Sequence, residues 1–179
     1  MGIAATWGST AGERARRYPC DGLVDAVDDE LFRAVDVAAP TEVTFRWLCQ
    51  LRVAPYSYDW IDNFGRRSPR VLTAGLERLH VGQPVMTIFR LAEFEPDRSL
   101  TICHTGRVFG RVAVTYQINS TGAQGCRLVV KLLVSLPRSP LRRLLGPVLA
   151  AGDLIMMRRQ LLNLKALSEA SRDESWAPG

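Results

Sequence analysis

His80 and His104 are the only histidines in this 179-residue chain. A multi-histidine metal site is therefore excluded. His104 follows Leu100 and Ile102 at a period of two, so a strand places all three on one face. Arg90 lies on the preceding strand candidate, across the turn Glu95-Pro96-Asp97-Arg98. Turned inward, its guanidinium needs a carboxylate or a polar ligand. Tyr116 shares an alternating face with Val112, Val114 and Ile118, and a hydroxyl placed there needs a partner. Such groups polarise carbonyls, move protons or orient a bound molecule. Tyr56, Tyr58 and Trp60, with Asp59 and Asp62 between and after them, form an aromatic cluster suited to gating a cavity mouth. Met157, next to Met156, can give a helix an adaptable lining. Each residue also has a plainer reading: a hydrogen-bonded core histidine, a solvent-facing arginine, a tyrosine hydroxyl at the rim, ordinary packing of a short helix, and a core methionine.

Other chemistries lack their signatures. There is no G-x-G-x-x-G, Walker loop, H-E-x-x-H or G-x-S-x-G pattern, which weakens dehydrogenase, NTPase, metalloprotease and serine-hydrolase readings. Cys20, Cys49, Cys103 and Cys126 are scattered with no C-x-x-C pair, so free, mostly buried thiols are expected rather than a zinc site or redox dithiol. The catalytic set is left unassigned, and no cofactor or metal is expected.

The elements that must position these residues read as follows. Leu31 to Ala38 alternates as a half-buried strand. Ala39-Pro40-Thr41-Glu42 opens a helix, with proline in its first turn and an acid at its positive end. Val43, Trp47, Leu48 and Leu51 follow at helical spacing, and Pro55 ends the run. Tyr56 to Asp62 forms a second short helix or turn. Gly82-Gln83-Pro84 is a turn, Val85 to Phe94 a strand, and Leu100 to His104 its return. Arg111 to Ile118 and Cys126 to Leu136 are two more strands, joined by a polar loop over Asn119–Gly125. Connections of hairpin size make the sheet mostly antiparallel. After Ser139-Pro140 a helix runs to about Ser171, with Gly146-Pro147 permitting a kink. Ala150, Leu154, Met157, Leu161 and Leu164 line its apolar face, and Asp153, Arg159, Gln160 and Asn163 lie outside.

The Pro96 hairpin has two registers with opposite consequences. A Pro96-Asp97 loop pairs Phe89 with His104 and Glu93 with Leu100, and turns Phe89, Leu91 and Glu93 inward. A Pro96-Asp97-Arg98 loop pairs Arg90 with His104 and Ala92 with Ile102, and turns Met86, Ile88, Arg90, Ala92 and Phe94 inward. One residue of slip exchanges the faces. The second set is the more apolar on its strand, so Arg90 is expected to face His104. Both choices keep His104 on the side of Leu100 and Ile102.

Composition bounds the rest. The chain suits one domain with a sizeable core. Residues 1–29 read as an extension, 30–171 as the domain and 172–179 as a tail. The net charge of +5 is not uniform. Residues 138–165 carry Arg138, Arg142, Arg143, Arg158, Arg159 and Lys165 against Asp153, beside Leu141, Leu144 and Leu145. Such a stretch can touch an anionic membrane peripherally, although a solvated helix face is the preferred reading. No basic–aromatic strand motif supports nucleic-acid binding. No apolar run is long enough for a signal peptide or a membrane span, so the chain is expected in the cytoplasm. A homodimer is compatible with the composition.

The order of elements resembles the START/Bet v 1-like (SRPBCC) superfamily, which includes polyketide cyclases and lipid-transport domains. The resemblance rests on the opening strand running into Ala38-Ala39-Pro40-Thr41-Glu42-Val43, Trp47 one turn later, and Gly82 before a long strand. Phe94-Glu95-Pro96-Asp97-Arg98-Ser99-Leu100 at the hairpin and the long final helix complete it. It implies an α+β helix-grip fold: a curved antiparallel sheet wrapped around a long C-terminal helix, with two short helices after the first strand. It also implies a cavity between sheet and helix for a hydrophobic small molecule, lipid- or polyketide-like; the residues read above as its candidate contacts are Arg90, His104, Tyr116, Tyr58, Trp60 and Met157. Carriage without chemistry is the preferred reading. An aromatase/cyclase-type enzyme is the alternative, and a docking module using the basic helix is a third.

Overall fold

The structure, a computed structural model, describes residues 3–57, 67–86, 88–106, 110–135 and 140–172. For residues 3, 4, 105 and 140–153 only the backbone is described. Six strands form one antiparallel sheet in the order β1-β6-β5-β4-β3-β2. They are β1 (Asp29–Val37), β2 (Pro84–Val85), β3 (Phe89–Glu95), β4 (Ser99–Gly106), β5 (Gly110–Gly122) and β6 (Gly125–Ser135). Short helices α1 (Ile3–Thr6) and α2 (Ala11–Arg14) precede the sheet, α3 (Thr41–Cys49) follows β1, and α4 (Pro140–Ala170) ends the fold.

Pro40 stands at the N-cap of α3 with Glu42 in its first turn, as the sequence expects. Phe45, Trp47, Leu48 and Cys49 are buried against the core, and a 3-10 turn over Gln50–Arg52 carries the chain on. The second short helix expected over Tyr56–Asp62 lies mostly outside the described residues. The final helix runs unbroken through Gly146-Pro147.

Three strand expectations need correction. First, Val85 to Phe94 is not one strand. The chain doubles back, pairing Pro84 with Arg90 and Val85 with Phe89, and Met86 takes a left-handed φ of 43° at the reversal. Second, the polar stretch after Ile118 continues β5 to Gly122, where a register shift and a tight turn replace the longer loop. Third, β1 is covered on both faces. Leu31, Val35 and Val37 join the main core on the inner face, while Phe32 and Ala34 join a second cluster on the outer one.

That outer cluster is closed by residues 18–24. Tyr18, Cys20 and Val24 pack on Phe32, Ala34, Ala113, Val129 and Leu133. The backbone N–H of Cys20 donates to Thr115 Oγ1 at 3.0 Å. Lys131, 5% exposed, places Nζ 2.6 Å from Asp21 Oδ1 and 2.8 Å from Glu30 Oε1. Gly8 lies so close to β1 that a Cβ there would strike the carbonyl of Ala34, and its φ of +73° independently favours glycine. The N–H of Ala34 donates to the Trp7 carbonyl, which satisfies part of the open edge of β1.

The strongest electrostatic tie of this segment joins Glu13 to Arg127. Arg127 Nε donates to Glu13 Oε1 at 2.8 Å, and Arg127 Nη2 donates to the Gly8 carbonyl at 2.6 Å. The guanidinium lowers the Glu13 pKa from 4.5 to about 2. The folded value lies below the unfolded one. The stabilisation is therefore complete above pH 4.5 and lost as pH falls through 2, and it is worth on the order of 3 kcal/mol. Glu13→Gln is expected to speed tryptic cleavage after Arg14, Arg16 and Arg17 at about pH 7.5, by up to about a hundredfold if the segment opens as a unit. Equal cleavage of both proteins would refute the tie.

Burial pushes the Cys49 thiol up to about 12, and it raises Cys20 and Cys126 as well. All four cysteines are free, and Cys103 is the only one of them not fully buried.

Candidate functional site

The pairing registers sort the inner face into rows that cross the sheet. One row runs Asp29, Val134, Val112, His104 and on to Phe89. The next is Leu31, Leu132, Val114, Ile102 and Leu91, and the third is Arg33, Val130, Tyr116, Leu100 and Phe94. Burial is graded along these rows. Leu100, Ile102, Val130 and Leu91 are at most 1% exposed, whereas Phe89, His104, Val112 and Val134 are only half-buried. One end of the inner face is thus packed solid beneath Leu161 and Leu164 of α4, and the other is an apolar wall left partly open.

A β-bulge resolves the hairpin ambiguity. Next to the turn, Glu95 pairs with Ser99 and Phe94 with Leu100, which is the register of the three-residue loop. Asp97 takes a left-handed φ of 60° there, which aspartate tolerates better than most residues. The register then shifts between Leu91 and Glu93, leaving Ala92 without a partner. Beyond the bulge Leu91 pairs with Ile102 and Arg90 with Cys103. The expectation that Arg90 faces His104 is therefore overturned. Arg90 is exposed on the outer face and donates to the Gly82 carbonyl at 3.0 Å. Phe89 takes the place beside His104, edge to face with centroids 6.1 Å apart.

His104 belongs to the open end of the wall. Its Nδ1 lies 2.8 Å from the Ile88 carbonyl, which fixes the ring. When Nδ1 carries the proton it donates to that carbonyl, and Nε2 is then the lone-pair nitrogen. The ring lies directly over Gly106, where a Cβ would collide with Nε2. Glycine is required there for the imidazole to reach this position.

Tyr116 lies deeper, at 1% exposure, with its hydroxyl donating to Gln160 Oε1 at 2.8 Å. The amide of Gln160 in turn donates to the Pro55 carbonyl at 2.6 Å. Asn163 Nδ2 donates to the Tyr56 carbonyl at 2.8 Å. Gln160 and Asn163, expected on the outside of the helix, instead tie α4 to the segment after α3, and Gln160 is only 3% exposed. Met157 is half-buried against the core. Tyr58 and Trp60 lie outside the described residues.

Arg33 was not among the candidates, although its place in the alternation with Leu31, Val35 and Val37 carried the signal. It is 1% exposed on the inner face, and its Nη1 donates to the Phe32 carbonyl at 2.8 Å. Among the described residues, no group of three or more His, Cys, Asp and Glu side chains could hold a metal ion, and no helix is long and apolar enough to cross a membrane.

No family model matches the chain, and no curated protein sequence matches it. Solved structures do. The protein jhp0584 from Helicobacter pylori is 15% identical, with a TM-score of 0.54 over 86% of this chain and 96% of that one. TTHA0849 from Thermus thermophilus is also 15% identical, with a TM-score of 0.50 over 79% and 98%. The di-domain ARO/CYC StfQ from the steffimycin biosynthetic pathway matches at 15% identity and a TM-score of 0.47, over 79% of this chain and 50% of that one. The strand order, the single long helix laid across the inner face and the likeness to the first two structures agree with the order of elements read from the sequence: the chain has an α+β helix-grip fold.

Proposed function

We propose that the protein binds an apolar or aromatic small molecule between the inner face of its sheet and α4. The observation that carries this reading is the graded wall. Phe89, Val112 and Val134 are apolar and half-buried in one row with a single polar residue, His104, whereas Leu91, Leu100, Ile102 and Val130 in the neighbouring rows are at most 1% exposed. A largely apolar recess with few polar anchors is the usual form of a small-molecule site. His104 stands at this open end of the wall, with its ring orientation set by Ile88 and Gly106, so that the ring face rather than a nitrogen borders the recess.

The test is uptake of the neutral fluorescent probe N-phenyl-1-naphthylamine, followed by native mass spectrometry of the loaded protein. Saturable one-to-one uptake, weakened several-fold in His104→Ala or Phe89→Ala, is expected. Absence of uptake, or uptake indifferent to both substitutions, would refute the site. Turnover of thioester polyketide mimics would shift the reading from carriage to cyclisation.

A further inference from the structure

We propose that α1 and Trp7 form a latch that pins α4 to the edge of β1 and so sets access to the recess. The proposal rests on the binding reading above and adds how the recess opens. β1 is an edge strand, so the space between the sheet and α4 would open sideways there. α1 stands in that gap and touches both β1 and α4. Ala5 and Trp7 are half-buried on the core cluster that holds Leu31, Val35, Leu161 and Leu164. Arg158, exposed on α4, lays its guanidinium over the Trp7 ring, 5.4 Å from the centroid. The Trp7 carbonyl takes the Ala34 N–H of β1 at 3.1 Å. One tryptophan thus joins the helix to the sheet edge.

The place of this contact along α4 gives it leverage. Toward its C-terminal end the helix is tied repeatedly. Glu169 Oε1 accepts the Ala38 N–H at 2.8 Å, Lys165 Nζ donates to the Asp36 carbonyl at 2.6 Å, and Gln160 Oε1 accepts the Tyr116 hydroxyl at 2.8 Å. Going back along α4, these partners step from the end of β1 to the row of Tyr116. The preceding turns therefore run toward the half-open row of Phe89, His104, Val112 and Val134. Trp7 on Arg158 is the next tie in that direction, and among the described side chains of α4 it is the last hydrogen bond or ring contact. Beyond it Met157, Met156 and Leu154 are half-buried, and Ile155 is 56% exposed. The latch is also the lightly held part of its segment. Arg127 grips the Gly8 carbonyl at 2.6 Å and Glu13 Oε1 at 2.8 Å, so the chain is clamped from Gly8 onward. Upstream, a four-residue helix has no stability of its own and depends on its packing. An exposed cation–π contact favours the closed state by a factor of roughly two to five. α1 can therefore leave while residues 8–24 stay docked, turning about the Trp7–Gly8 junction. α4 then loses its last tie before the open row.

The experiment measures release of N-phenyl-1-naphthylamine from the full chain after rapid dilution, and amide exchange of the probe-free protein by NMR. Arg158→Gln is expected to release the probe roughly two- to fivefold faster. Arg158→Lys, which keeps the cation, is expected to stay close to the unaltered rate. Trp7→Ala is expected to release it about tenfold faster. In the probe-free protein, Arg158→Gln is expected to speed exchange of the Ala34 amide by the same factor. The Cys20 amide, bonded to Thr115 in the docked part of the segment, is expected to stay unchanged. A general loss of stability would speed both amides together, and that result would overturn the latch. Unchanged release in both Arg158→Gln and Trp7→Ala, with uptake intact, would overturn it and leave the binding reading standing. No uptake by the unaltered protein would overturn both. Arg158 is exposed, so its variants keep the test decisive even if Trp7→Ala does not fold.

Discussion

Deletion of residues 1–28 is expected to turn a monodisperse protein into an aggregating one with most of its stability gone. The segment covers Phe32, Ala34, Ala113, Val129 and Leu133, each at most 3% exposed in the intact fold. Re-exposing Phe32, Val129 and Leu133 alone forfeits about 1.5–3 kcal/mol apiece. The sum is comparable to the roughly 5–15 kcal/mol that holds a domain of ordinary stability together. Polar costs add to it. Thr115 loses the Cys20 amide, and Lys131 loses one of its two carboxylates. The open edge of β1 loses the Trp7 carbonyl, which invites pairing with another chain. Light scattering after size exclusion and a thermal melt would read this directly. A monomeric truncated protein that melts within a few degrees of the intact one would show that the outer face needs no cover.

That role was only partly legible beforehand. Residues 1–29 read only as an extension, because no periodic pattern in them says which face they dock on. The missing signal was in the body of the domain. Phe32, Ala34, Ala113, Val129 and Leu133 are apolar on the side of the sheet that a single-layer reading assigns to water. Strands apolar on both sides imply two covering layers, and the long helix supplies only one. Lys131 masked the pattern, since a lysine at a strand centre reads as solvent-facing. Here it is closed in by Asp21 and Glu30 and lies over the rings of Tyr18 and Phe32.

The site was legible by type more than by position. His104 and Tyr116 fell on the inner face because period-two alternation is insensitive to register on their own strands. Arg90 did not, because its face depended on a pairing between strands, and the bulge at Ala92 changes that pairing partway along. Each of the two registers weighed is correct over half of the hairpin, so no single choice could have been. Gln160 was misplaced because a polar residue beside an apolar stripe was assigned to the polar face, and Arg33 was not weighed at all. Both are instead buried and hydrogen-bonded, and it is polar residues of this kind that distinguish a binding recess from a plain core.

Trp47→Ala is expected to be the most damaging single substitution, costing about 3–5 kcal/mol. For a chain of this size that lowers the melting temperature by roughly 6–20 °C. Trp47 is 1% exposed and packs edge to face on Tyr56, with centroids 6.1 Å apart. Its indole N–H donates to Ser171 Oγ at 3.3 Å, just past the last turn of α4. The indole therefore fills the joint where α3, the Pro55-Tyr56 segment and the end of α4 meet, and Gln160 and Asn163 hold the same joint by hydrogen bonds. Removing the indole leaves a cavity that three separate elements would have to collapse together, which is the costly case. Trp47→Phe separates the two contributions: it keeps an aromatic ring, loses the donor, and is expected to cost about 1–2 kcal/mol. On the proposed reading, in which the ligand lies between sheet and α4, the alanine variant is also expected to release a bound neutral probe faster, while the phenylalanine variant releases it at close to the normal rate. A joint that tolerates Trp47→Ala within about 2 °C, against the roughly 2–4 °C expected per kcal/mol, would mean that α4 is held by the sheet alone.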